Sequence, residues 1–109
     1  MIKNINTLQE LEDALSQTQG KHIIKISNSS CIPCKMINPF VEEFSTEYPD
    51  VSFYSVVADI TEEAQAIGVK LRSLRVSSVP TFIILDDSVE SRVSGAFSKT
   101  KLKESLNFT

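Results

Sequence analysis

Ser29-Ser30-Cys31-Ile32-Pro33-Cys34-Lys35 holds the only two cysteines of the chain, spaced Cys-x-x-Cys, just after the apolar run His22-Ile23-Ile24-Lys25-Ile26. From Cys31 onward the hydrophobic pattern changes its period. Ile37, Phe40, Val41, Phe44 and Tyr48 recur at offsets that line one face of an α-helix. The motif therefore marks a strand-to-helix junction, with Cys31 at the helix mouth, where unpaired backbone N–H groups and the macrodipole favour negative charge. A thiolate is such a charge. Lowering a thiol pKa from about 8.5 to about 7 raises the ionised fraction at neutral pH from a few per cent to roughly half.

Working outward from the motif, Ile2 to Ile5 reads as a short edge strand, and Thr7-x-x-Glu10 as a capping box. The box opens a helix whose inner face carries Leu8, Leu11, Ala14 and Leu15. Gly20 closes the connection into the run at 22–26, which is apolar enough to be a central strand. Pro39 lies inside the motif helix, where it removes a hydrogen bond and kinks the axis. Tyr48-Pro49-Asp50 ends that helix, and the strand from Val51 to Val57 completes a β-α-β unit. Thr61, followed by Glu62 and Glu63, reads as the start of another helix. It carries Ile60, Ala64, Ile67, Leu71 and Leu74, with Gly68 as the point where it divides. Thr81 to Leu85, a turn at Asp86-Asp87-Ser88 and Val89 to Val93 predict a hairpin. Ser98 caps a last helix with Leu102, Ser105 and Leu106 facing inward.

At 109 residues and 12.1 kDa, with 41% hydrophobic residues, the chain has the size and composition of one globular domain, residues 1–109. A net charge of −3 implies no strongly basic surface, so nucleic acid is not an expected partner. Lys99, Lys101 and Lys103 read as a solvated helix face. Met1-Ile2-Lys3-Asn4-Ile5-Asn6 turns polar before an apolar signal core forms, and no run approaches membrane-spanning length. The expectation is a soluble, cytoplasmic protein with no membrane partner. In a reducing compartment two close cysteines point to redox turnover or a metal rather than a permanent staple. Asn28-Ser29-Ser30 and Asn107-Phe108-Thr109 match the glycosylation triplet, which carries no meaning without secretion.

Cys31-Ile32-Pro33-Cys34-Lys35-Met36-Ile37-Asn38-Pro39, with Val79-Pro80-Thr81 later, resembles the thioredoxin family, whose active site typically reads Trp-Cys-Gly-Pro-Cys-Lys. The likeness runs from the first strand to the last helix and includes Pro39. It implies an α/β thioredoxin fold, a central mixed β-sheet flanked by α-helices. It also implies a thiol–disulfide oxidoreductase that reduces protein disulfides, receives electrons from a thioredoxin-reductase-like donor, works as a monomer and needs no bound cofactor beyond a redox-active disulfide Cys31–Cys34. In such a dithiol reductase Cys31 attacks the substrate disulfide as thiolate, exposed to it, and the shielded Cys34 resolves the mixed disulfide.

The resemblance further implies that Pro80 follows a cis peptide bond beside the cysteines, and that Val79 offers its backbone to an extended substrate as an added strand. A plainer reading makes Pro80 simply the first residue of a strand. Gly95 matches a family glycine that leaves room for the docking peptide; otherwise it is a strand-end bulge. Ser30, Ile32 and Pro33 complete the expected docking surface. Ser30 stands where the family usually has tryptophan, a residue this chain lacks altogether, and Ile32 stands where it has glycine. Lys25 occupies the place of a buried aspartate that helps take the proton of the resolving cysteine. Two readings of Lys25 stand: a buried amine of lowered pKa that accepts a proton or favours thiolates, or a side chain that snorkels to solvent. The span from Asp59 to Pro80 is about six residues longer than is usual in the family, roughly a turn and a half of helix.

Three rivals are weighed. Cys-x-x-Cys is half of a zinc site, but His22 is the only histidine and reads better as a strand residue than as a ligand. A specialised thioredoxin-like protein serving one partner fits Ser30, Lys25 and the longer 60–78 segment. A binding module that keeps the fold and uses the cysteines only structurally is the reading outside enzymes.

Overall fold

The computed structural model describes residues 1–95 and 98–108, so Thr109 of the second triplet lies outside them. In chain order the elements are β1 (Ile2–Asn4), α1 (Leu8–Leu15), β2 (Lys21–Ser27), α2 (Ile32–Glu47), β3 (Ser52–Val57), α3 (Ala64–Ser73), β4 (Thr81–Asp86), β5 (Val89–Ser94) and α4 (Lys99–Ser105). The strands form one mixed sheet in the order β1-β3-β2-β4-β5. β2 lies at its centre, parallel to β3 and antiparallel to β4.

Alternation along the strands sends side chains to two layers of core. Ile23, Phe53, Phe82 and Ile84 meet Ile37, Val41 and Phe44 of α2 and Leu102 and Leu106 at α4. On the other face Ile24, Ile26, Val56 and Ile83 meet Leu11 and Ala14 of α1 and Ile67 and Leu71 of α3. Both faces of β2 are covered, which suits Ile23, Ile24 and Ile26 at its middle, and the charged Lys25 buried among them needs an explanation.

Local signals act as the chain's physics demands. The Thr7 hydroxyl accepts from the Glu10 amide while the Glu10 carboxylate accepts from the Thr7 amide, which closes the capping box of α1. Asp87 and Ser88 carry φ of 48° and 71°, the pair of positive values that a two-residue hairpin turn requires. Asp87 also ties this turn to the α1–β2 connection: Gly20 N donates to Asp87 Oδ1 at 2.8 Å, and Asp87 N donates to Gly20 O at 3.0 Å.

Four expectations are corrected. α3 begins at Ala64 rather than Thr61, because the Thr61 hydroxyl closes the turn after β3 by donating to Ala58 O. Glu63 instead serves α1, its carboxylate accepting from Leu8 N at 2.7 Å, and Ile60 is left exposed. Gly68 does not divide α3, which runs through it. Lys99 and Lys103 are not simply solvated; they pair with Glu43 and Glu47 and fasten α4 to α2. His22 is a core residue, held by Tyr54 Oη at 3.1 Å and Gln19 O at 2.8 Å.

Candidate active site

β2, β3, β4 and β5 bring one end of the sheet together. The chain leaves β2 at Ser27 and reaches Cys31 in four residues, while Ile26 pairs with Thr81, which directly follows Pro80. Cys31 is the N-cap of α2: its backbone is extended, and its Sγ accepts from Cys34 N at 3.1 Å. Pro33 falls in the first turn of the helix, where a proline sacrifices no intrahelical bond. Cys31 and Cys34 form a disulfide with Cα atoms 5.3 Å apart. Cys31 is 7% exposed and Cys34 2%. Both are buried in this disulfide form, so the exposure expected of Cys31 is corrected: its sulfur is bonded to Cys34 and folded back over the helix terminus. Ile32 and Met36 stand out beside it, 69% and 68% exposed.

The loop that delivers Cys31 is clamped from β3. Asp59 accepts from both the amide and the hydroxyl of Ser29, and these bonds, the hydroxyl's first, hold its carboxyl below the usual carboxylate range. Asn28 Oδ1 accepts from the amide and hydroxyl of exposed Ser30, and Asn28 O accepts from Cys31 N. Neither Asp59 nor Asn28 was identified from sequence. The available signal was an acid just past the end of β3, two residues beyond Val57, where the loop from β2 must pass.

On the other side of the site the Val79–Pro80 peptide bond is cis, and Pro80 is buried with Val79 half-buried. Among the described residues no backbone hydrogen bond occupies the amide or carbonyl of Val79. Gly95, at φ 103°, donates its amide to Pro80 O at 3.0 Å and so joins the end of β5 to the same corner. Positive φ of that size is natural only for glycine.

Lys25 points from β2 towards α2. At 6% exposure it does not snorkel; its Nζ donates to Asn38 Oδ1, one helical turn beyond Cys34. Burial pushes the Lys25 amine below the ordinary lysine value, and Glu42 pulls the other way. The pair borders a cavity of about 440 Å³ also lined by Glu42, Ser45 and Tyr54. Among the described residues no group of three His, Cys, Asp or Glu side chains could hold a metal ion. No described helix is long and apolar enough to cross a membrane.

A mixed sheet with a vicinal dithiol at the mouth of its central crossover helix defines a thiol–disulfide oxidoreductase, one that can reduce disulfides by exchange. The family model described as Thioredoxin matches residues 3–107, and the chain belongs to the thioredoxin family. It is 31% identical over 101 residues to Thioredoxin-2 of Saccharomyces cerevisiae, an alignment that spans 88% of each chain. Among solved structures it resembles Fasciola hepatica thioredoxin, with TM-score 0.76, 31% identity and 97% of each chain covered. Thioredoxin O1 of Arabidopsis thaliana in the oxidised state superposes with TM-score 0.83 at 28% identity, covering 98% of this chain and 96% of that one.

Proposed function

We propose that Cys31 is the nucleophile and Cys34 the resolving thiol in the reduction of disulfides in other proteins. The observation that carries this reading is the place of Cys31 at the N-cap of α2, where a backbone N–H already points at its sulfur. In the reduced protein the Cys31 thiolate attacks a substrate sulfur, forms a mixed disulfide and expels one thiolate. Cys34 then gives up its proton and attacks Cys31 Sγ, which expels the second thiolate and leaves the bonded pair. Two electrons pass to the substrate. A thioredoxin-reductase-like donor returns them, in a compartment that keeps thiols reduced, such as the cytoplasm, and no bound cofactor takes part.

Val79 pairs with the main chain of an extended substrate, Gly95 leaves that edge clear, and Ser30, Ile32, Pro33 and Pro80 flank the sulfurs. The fraction of Lys25 that burial leaves neutral is the local proton acceptor when Cys34 ionises, with Asn38 Oδ1 holding the amine in place.

Insulin reduction followed by turbidity is the test. Cys31→Ser is expected to abolish it, while Cys34→Ser is expected to accumulate mixed disulfides with protein substrates. Full activity of Cys31→Ser would overturn the assignment.

A further inference from the structure

We propose that the C-terminal half of α3 and the segment leading to Val79 form a substrate subsite that selects an acidic side chain close to the disulfide being reduced. A pocket of about 230 Å³ opens there. Its floor is apolar, with Ile26 and Leu71, and its rim is polar, with Asn28, Arg72, Ser77 and Ser78. Val79 is part of the same wall, so a peptide docked along Val79 passes over the opening. Asn28 carries the rim directly to Cys31 through its carbonyl.

Charge determines what fits. Among the described residues the Arg72 guanidinium has no ion pair or hydrogen bond, whereas Lys70 pairs with Glu12 and Arg92 with Glu90. Asp59, the acid nearest in sequence to the pocket residue Ala58, is engaged by Ser29. A cation in the last turn of a helix is favourable for the helix itself. That does not explain two neighbouring choices that cost local stability. Gly68 lies in mid-helix, where alanine would be better by about 0.5–1 kcal/mol; Arg72 Nη1 lies 3.5 Å from where its Cβ would be, an ordinary packing distance, so the guanidinium lies over the glycine in the pocket wall. Arg75 ends the helix at φ 62°, a left-handed cap position that glycine fills more easily. The chain thus departs from good helix chemistry once in the pocket wall, at Gly68, and again just before the pocket residue Val76, where Arg75 adds a second exposed cation. A planar guanidinium over a small polar-rimmed pocket fits a carboxylate better than a neutral or basic side chain.

This subsite rests on the reading of Val79 as the substrate edge, and the test separates the two. Pre-reduced protein, freed of reductant, is mixed with peptide disulfides bearing a fluorophore and a quencher on their two arms. Glu, Gln or Lys is placed at each of the three positions on either side of one cysteine. The readout is the ratio of second-order rate constants, Glu over Lys, within each protein. We expect at least one position with a ratio of about five or more for the wild type, falling as salt rises. It should fall near one for Arg72→Ala, invert for Arg72→Glu and be partly retained for Arg72→Lys. Peptides turned over with the same ratio by all four proteins would overturn the subsite and leave the dithiol chemistry standing. No Cys31-dependent turnover of any peptide would overturn both.

Discussion

The Lys25 ammonium on the central strand donates a hydrogen bond to Asn38 on α2, one turn beyond the resolving cysteine. A cation buried here must be satisfied from within the protein, and Asn38 with Glu42 nearby does so.

Because burial lowers the Lys25 pKa, the unfolded chain binds that proton more tightly than the folded one. Stability owed to this group is therefore smallest below the folded pKa and climbs as pH rises towards the ordinary value of 10.5. Lys25→Met with Asn38→Leu is expected to be more stable than the wild type at pH 7, by a margin that shrinks towards pH 10. Urea midpoints at the two pH values check this, and a margin independent of pH would refute it. The single variant Lys25→Met should also shift the pH profile of alkylation of the reduced cysteines.

Asp59 stabilises the folded chain at neutral pH, where buried Lys25 costs stability, although both contributions rise with pH. Its lowered pKa means that its hold on Ser29 is complete at neutral pH and is lost as pH falls through that value. Asp59→Asn should reduce the hydrogen-exchange protection of the Ser29 amide about tenfold. An unchanged protection factor would mean that the loop before Cys31 is held by other contacts.

Gly95→Ala places a Cβ at φ 103°. It is expected to cost about 1–3 kcal/mol in urea denaturation and to slow reduction of insulin more than reduction of a small aromatic disulfide.

Thr7→Ala and Phe44→Ala test the frame without touching the chemistry. The first removes the side-chain half of a capping box and should cost about 1 kcal/mol. The second empties a fully buried position and should cost about 3–5 kcal/mol. Thermal denaturation ranks them, and a cost for Thr7→Ala equal to that for Phe44→Ala would contradict the layered core.

What was legible in the sequence follows from the range of the forces involved. Helical spacing at Ile37, Val41 and Phe44, the Thr7 box and the central run at 22–26 are local patterns, and each became the element it announced. The two cysteines were legible for the same reason. The start of α3 was misplaced because Thr61 and Glu63 both look like helix openers, and only the folded chain shows them bonded to Ala58 and Leu8. Asn28, Asp59 and Asn38 escaped because each matters through a partner on another element. Lys25 could be singled out, but the choice between reaching solvent and staying inside depended on an amide across the core.

The bond between Cys31 and Cys34 encloses only four residues. By the chain-entropy relation so small a ring restrains the unfolded polypeptide by about 2 kcal/mol, less than longer loops do. Gaining or losing the pair of electrons therefore leaves the architecture nearly indifferent, and the molecule can be charged and discharged repeatedly without remaking itself.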